Sequence, residues 1–160
     1  MTTELIHADY QNPQHAKDIL FLLNAYAQDP MGGGESISEY VKDNLISGLS
    51  KLDYAHSVLA YVDSKPAGLI NFFEAFSTFK AKPLINIHDI VVMKEFRGSG
   101  VSQAMLNKVE MFAKEKGCCK LTLEVLQGND VAKSAYEKYG FSDYELDPKM
   151  GCALFWQKEI

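Results

Sequence analysis

Long apolar runs are missing from this sequence: none approaches the roughly 20 residues that a bilayer-spanning helix needs, which argues against a membrane partner. Cysteine is scarce, with only Cys118, Cys119 and Cys152. An odd count with two adjacent residues makes no disulfide framework. No spaced Cys/His cluster offers zinc ligands either, so no metal is expected. Reduced cysteines packed in a core suit a reducing, cytoplasmic setting. The opening stretch "MTTELIHADY" lacks the basic-then-apolar pattern of a secretory leader, which carries the same expectation. A basic block is also missing, and the net charge of −5 disfavours nucleic acid as a partner.

What is present is ordinary for a globular domain. The chain has 160 residues, 47% of them hydrophobic and 23% charged. That length fits one domain, 1–160, with a core large enough to need no staples. Repeats, low-complexity segments and linkers are absent.

Element signals alternate along the chain. "TELIHADY" reads as a first strand. A helix follows, capped by Asn12, opened by Pro13 and ended at Asp29-Pro30. After "MGGGES", Ser36 and Glu39 have capping-box spacing, and Ile37, Val41, Leu45 and Leu49 recur on one helical face. "SVLAYVD" and "AGLINFFEAF" are strands joined by "DSKP", and "INIHDIVVM" is a third, apolar enough at its end for a sheet centre. Positions 101, 104, 105, 108, 109, 112 and 113 mark one face of a later helix, apolar except for Lys108. "KLTLEV" is a strand. "NDVAKSAYEKYG" is a helix between Asn129 and Gly140, and "CALFWQK" is a last strand. The order β-α-α-β-β-β-α-β-α-β describes an α/β domain with a mixed sheet.

The most informative stretch is "EFRGSGVSQAML". Glycines before an apolar-patterned helix allow a tight, positive-φ turn, and the turn aims backbone N–H groups at one point. Such a cluster holds anions, phosphate above all. No Gly-Lys-Ser/Thr follows, so it is not a P-loop, and the third glycine of a dinucleotide fingerprint is missing. A nucleotide-binding module is thereby disfavoured.

The order strand, "FRGSG", long helix, strand, "NxxAxxAYEKYGF" resembles the GNAT superfamily of acyl-CoA-dependent N-acetyltransferases. The family's Arg/Gln-x-x-Gly-x-Gly/Ala turn reads here Arg97, Gly98, Ser99, Gly100, Val101, Ser102. Ser102 departs from it with a small hydroxyl residue. Asn129, Ala132, Tyr136 and Gly140-Phe141 match the later motif. The resemblance covers about Ile85 to Phe141; before that only the element order agrees. It implies a single acetyltransferase domain with splayed strands around an acyl-CoA cleft. The amides of Gly98 to Gln103 would hold the pyrophosphate of acetyl-CoA, with Arg97 and Lys94 adding charge. Asn129 joins the cofactor-binding set. Ile90, Val91 and Val92 would bind the pantetheine arm through backbone amides and polarise the acetyl carbonyl.

Moving an acetyl group from thioester to amine needs a proton taken from the amine, a donor to the carbonyl oxygen and a proton for the departing thiolate. By the resemblance, Tyr136 is the acid, a phenol whose ordinary pKa near 10 keeps it protonated. Two bases stay open. Glu124 lies twelve positions before Tyr136, the spacing of the base proposed for members that acetylate a ribosomal-protein N-terminus. His88 falls where the spermidine/spermine acetyltransferases carry a glutamate. Asn86 lies where histone-type members have theirs, and an amide is no base. The acceptor amine would enter over the first half of the chain. "QDPMGGGESISEY" there reads as a mobile loop, and Asp29, Glu35 and Glu74 would attract a cation. The implied function is N-acetylation of a primary amine, on a small molecule or a protein, with a homodimer as the family's common assembly. The competing reading is a non-catalytic acyl-CoA-binding sensor module, which has no use for Tyr136 beside a base.

Overall fold

The computed structural model describes residues 1–160, which form two compact units, Met1–Leu123 and Glu124–Ile160. The first runs β1 (Thr3–His7), α1 (Pro13–Gln28), α2 (Glu39–Leu49), β2 (Ala55–Val62), β3 (Lys65–Ser77), β4 (Lys82–Val92), α3 (Val101–Glu115) and β5 (Leu121–Leu123). Its strands make one sheet in chain order, antiparallel from β1 to β4 and parallel between β4 and β5. The parallel pair needs a crossover, and α3 supplies it. Between β2 and β3, Asp63 and Ser64 take φ of 47° and 65°, the two-residue turn whose twist matches the strands it joins.

Helix starts follow local chemistry. Asn12 Oδ1 accepts from the amides of Gln14 (2.9 Å) and His15 (3.3 Å), and Pro13 fills the first helical position. The start of α2 corrects the capping-box expectation. Its cap is Ser38, whose Oγ accepts from Val41 N at 3.2 Å, while Ser36 Oγ accepts from Gln28 Nε2 at 2.8 Å. Ser38 is next to the first helical residue and reaches the amide three positions on; Ser36 lies too far upstream to do so.

The sheet is covered on both faces. Ile19 and Leu22 of α1 pack with Leu59, Leu69 and Val91. One residue along β3, Gly68 points the other way, where an added Cβ would meet Met105 Cε of α3 at 2.7 Å. The buried stripe of α3 is Val101, Met105, Leu106, Val109 and Ala113; Leu106 thus joins the expected face and Lys108 stays at its rim. On the α1 face, Tyr61 OH donates to Asp18 Oδ2 at 2.7 Å and Gln14 Nε2 to Asp18 Oδ1 at 2.9 Å. Burial and then the neighbouring Asp18 carboxylate push the Tyr61 phenol far up, so it stays a donor.

The second unit contains α4 (Asp130–Tyr139), closed by Gly140 at φ 113°. The expected last strand "CALFWQK" does not form a strand: residues 151–160 have no regular structure. One backbone bond, Ala153 N–H to the Tyr144 carbonyl at 2.8 Å, joins it to the chain before it. Strand propensity without a ladder of such bonds yields no strand. The cysteines are also not core residues, since Cys118 and Cys119 are half-buried and Cys152 is exposed. No helix is long and apolar enough to cross a membrane.

Tyr61→Phe removes one donor from a carboxylate that is 4% exposed. The expected loss is about 1–3 kcal/mol, read as a lower urea midpoint at unchanged slope. An unchanged midpoint would mean that water replaces the phenol without cost.

Candidate active site

The site begins with an irregularity in β4. Its register against β3 runs Asn71 with Asp89, then Phe72 with Ile87, so His88 is an extra residue. A bulge of this kind bends its strand and re-aims side chains. On the other edge, β4 pairs with β5 only through Ile85, Asn86 and Ile87, and Asn86 Nδ2 donates to Thr122 Oγ1 at 3.0 Å. Pairing with β5 thus stops where the bulge starts.

Past the bulge, hydrogen-bonding direction alternates along the strand. Met93 N–H donates to the Ala67 carbonyl at 2.9 Å, so Met93, Val91 and Asp89 face β3. Ile90 and Val92 face the opened edge, and the Val92 carbonyl there accepts from Arg97 Nε at 3.0 Å. Of the three expected residues, Ile90 and Val92 keep their backbone groups at that edge. Val91 is placed differently. Its backbone belongs to the β3 ladder and its side chain, 4% exposed, to the core.

The glycine turn continues from this edge. Gly98 and Gly100 take φ of 78° and 85°, and an added Cβ at either would meet nothing within 4 Å. The intrahelical ladder of α3 starts with Ala104 N–H to the Gly100 carbonyl at 3.0 Å. The amides of Val101 and Ser102 therefore precede it, at the positive end of a helix of 15 residues. Ser99 turns its hydroxyl to the Phe96 carbonyl. Backbone that a ligand can approach, with unpaired amides and a helix dipole behind it, suits a pyrophosphate.

Arg97 has two partners within the protein. Besides Val92, its guanidinium reaches Asp29 Oδ2 at 3.2 Å. Asp29 in turn organises the glycine loop: its Oδ1 accepts from Met31 N–H, and its carbonyl accepts from Gly32 and Gly34. The Met31 amide first, then Arg97, hold the Asp29 carboxyl below its usual range. The loop expected to be mobile is therefore tied down, also by Ile37 N–H to Asn24 Oδ1 at 3.0 Å. Asp29 does not offer a bare charge to a substrate. Glu74 does not either, since His56 Nε2 lies 2.8 Å and Lys116 Nζ 3.4 Å from its Oε1. Glu35 is exposed.

The bulge also places His88. Its ring meets Phe73 edge-on at 5.6 Å, and its Nδ1 is 4.0 Å from Asp89 Oδ1. Phe73 and Asn71 lie on the α1 face with Leu69, so His88 and Asp89, consecutive in sequence, share that face. Asp89 accepts from Asn71 Nδ2 at 3.0 Å. Burial, then the charges of Asp89 and Asp29, raise the Tyr26 phenol of α1. Sequence reasoning missed Asp89, because strict alternation puts it opposite His88. The available signal was a pair of adjacent titratable residues inside an apolar strand.

Glu124, Asn129 and Tyr136 belong to the second unit. Asn129 Oδ1 caps α4 through Ala132 N–H at 3.2 Å. The Tyr136 ring meets Phe141 edge-on at 6.1 Å, and Tyr139 stacks on Phe141 at 6.0 Å. The Tyr136 carbonyl accepts from the amides of Gly140 and Phe141.

A bulged strand whose edge opens beside a glycine turn is an arrangement suited to a long phosphate-bearing ligand. The comparisons assign the class of protein. The pattern of the Acetyltransferase (GNAT) family matches residues 19–141. A thialysine N-epsilon-acetyltransferase of Bos taurus is 30% identical over 121 residues, 68% of this chain and 71% of that one. Its namesake in Caenorhabditis elegans is 25% identical over 138 residues, 82% of this chain and 78% of the other. Among solved structures, AAC(6')-Iy in complex with the bisubstrate analogue CoA-S-monomethyl-acetylneamine superposes with a TM-score of 0.78 at 16% identity, over 100% of both chains. The chain belongs to the GNAT acetyltransferase family and is an acyltransferase.

Acetyl-CoA at 100 times its Kd is expected to stabilise the protein by about 2.7 kcal/mol, a rise of roughly 5–10 °C at this size. Gly100→Asp puts a carboxylate into the turn and abolishes the rise. Gly100→Asn, which tolerates the same φ without charge, keeps part of it. Equal rises for Asp and wild type would remove the pyrophosphate from this turn.

Proposed function

We propose that this protein is an N-acetyltransferase that passes an acetyl group from acetyl-CoA directly to a primary amine, through a tetrahedral intermediate, and that the acceptor is a small cationic amine. The observation that carries the reading is the bulge at His88, which opens β4 at Ile90 and Val92 beside the glycine turn. The acceptor class is supported by the two relatives named for thialysine, itself a primary amine. The family match across residues 19–141 supports reading both units as one acetyltransferase domain. The scarcity of cysteine suits the cytoplasm.

Acetyl-CoA supplies the activated thioester. The amides of Gly98 and Gly100 to Gln103 hold its pyrophosphate, and Arg97 fixes the turn from behind by gripping Val92 and Asp29. Ile90 and Val92 donate N–H groups along the open edge, where developing oxyanion charge meets fixed dipoles. Tyr136 carries the proton for the departing sulfur. His88, on the α1 face, takes the proton of the amine; Glu124 is the other candidate for that step. Side-chain sulfur, serine or metal chemistry is not called upon, because the thioester is already activated.

A thiol-release assay with polyamines, aminoglycosides, free amino acids and peptides tests the reading. Small cationic primary amines are expected to accelerate release. Tyr136→Phe keeps the ring and is expected to lower turnover about 10- to 1,000-fold, with acetyl-CoA affinity within a few-fold. Binding of acetyl-CoA without acceleration by any amine would make the protein a sensor module instead.

A further inference from the structure

A chain of polar side chains crosses the α1 face of the sheet, and neither coenzyme binding nor the fold accounts for it. Tyr10 OH lies 2.9 Å from Ser57 Oγ, Ser57 Oγ donates to Asn71 Oδ1 at 2.7 Å, and Asn71 Nδ2 donates to Asp89 Oδ2 at 3.0 Å. Ser57 and Asn71 are 0% and 4% exposed, among Leu59, Leu69 and other apolar neighbours. The direction of every bond is fixed. Asp89 as a carboxylate only accepts, so Asn71 turns its NH₂ to it and its carbonyl to Ser57. Ser57 spends its one proton on that carbonyl, so Tyr10 must donate to Ser57. All three dipoles point their positive ends toward Asp89. Buried polar groups of this kind are costly unless fully satisfied, and once satisfied they fix one geometry.

From this we propose that Asp89 is the positioning residue for His88, held by Asn71, Ser57 and Tyr10, and that it sets the orientation of the imidazole that receives the proton of the amine. The bulge is what makes this arrangement available, because it puts two consecutive side chains on one face, 4.0 Å apart. Tyr26 of α1 is the titratable group that feels Asp89, and it also feels Asp29 at the C-terminal cap of that helix. Arg97 occupies the latter, while Asp89 Oδ1 lies 4.0 Å from the imidazole Nδ1. No proton passes along the chain, since an amide stands in its middle. Its role is to anchor. The inference rests on the reading of His88 as the base, and the test below separates the two.

The test combines turnover at saturating acetyl-CoA with NMR of the His88 ring, whose orientation is read through its contact with Phe73. Asp89→Asn is expected to lower turnover about 10- to 100-fold, leave the KM for acetyl-CoA within about 3-fold, and weaken the contact between the His88 and Phe73 rings. Asp89→Glu is expected to recover part of both losses. Tyr10→Phe, at the far end, is expected to cost only about 2- to 5-fold, with a smaller weakening of the same contact. The NMR readout needs no substrate. If the ring contact weakens in Asp89→Asn but the rate does not fall, the pair exists and His88 is not the base. If neither changes in a folded Asp89→Asn, or if only thermal stability falls, the positioning role is overturned. Should Asp89→Asn fail to fold, Tyr10→Phe decides: a ring contact and turnover identical to wild type overturn the proposal.

Discussion

The extra residue in β4 is the constraint on which the rest of the site depends. β5 ends at Leu123, level with the start of the bulge, so no ladder with β5 consumes the amides of β4 beyond it. With His88 inserted, pairing with β5 ends at Ile87, while pairing with β3 resumes at Asp89. The strand thus stays anchored in the sheet on one edge and leaves Ile90 and Val92 exposed to a ligand on the other. The same residue turns His88 and Asp89 onto one face. A single irregularity therefore sits between an open strand edge and a pair of titratable side chains on one face.

Arg97 joins the two sides. Its guanidinium holds the Val92 carbonyl at the end of β4 and Asp29 at the end of α1. Asp29 carries the turn that starts the glycine loop. The family's basic residue in this turn thereby acts as a brace between the glycine turn and the loop that follows α1. An ion pair this exposed contributes little to stability. Its consequence is geometric, since two segments far apart in sequence meet at one planar group.

Much of this was legible in the sequence, for local reasons. Asn12-Pro13, the apolar stripe of α3 and the Asn129-to-Gly140 frame of α4 declare themselves through capping, periodicity and positive-φ glycine. The glycine turn was legible because its amides need no side chains. Partnerships between distant residues were not legible. Nothing local in "IHDIVVM" marks a bulge, because register is decided by the opposing strand. The brace from Arg97 to Asp29 was not legible because the two lie 68 positions apart. Ser36 and Ser38 offer the same chemistry, and only the helix start separates them. "CALFWQK" has a strand's composition, but composition supplies no partner.

The central claim is that Ile90 and Val92 offer backbone N–H groups while Val91 between them is already paired. Amide hydrogen exchange, residue by residue, with and without acetyl-CoA, tests it most directly. In the free protein the amides of Ile90 and Val92 are predicted to exchange fast and that of Val91 slowly. Acetyl-CoA is predicted to slow Ile90 and Val92, together with Gly98 and Gly100 to Ser102, and to leave Val91 unchanged. Equal slow exchange at Ile90, Val91 and Val92 before the coenzyme is added, with no further protection after it, would contradict the account.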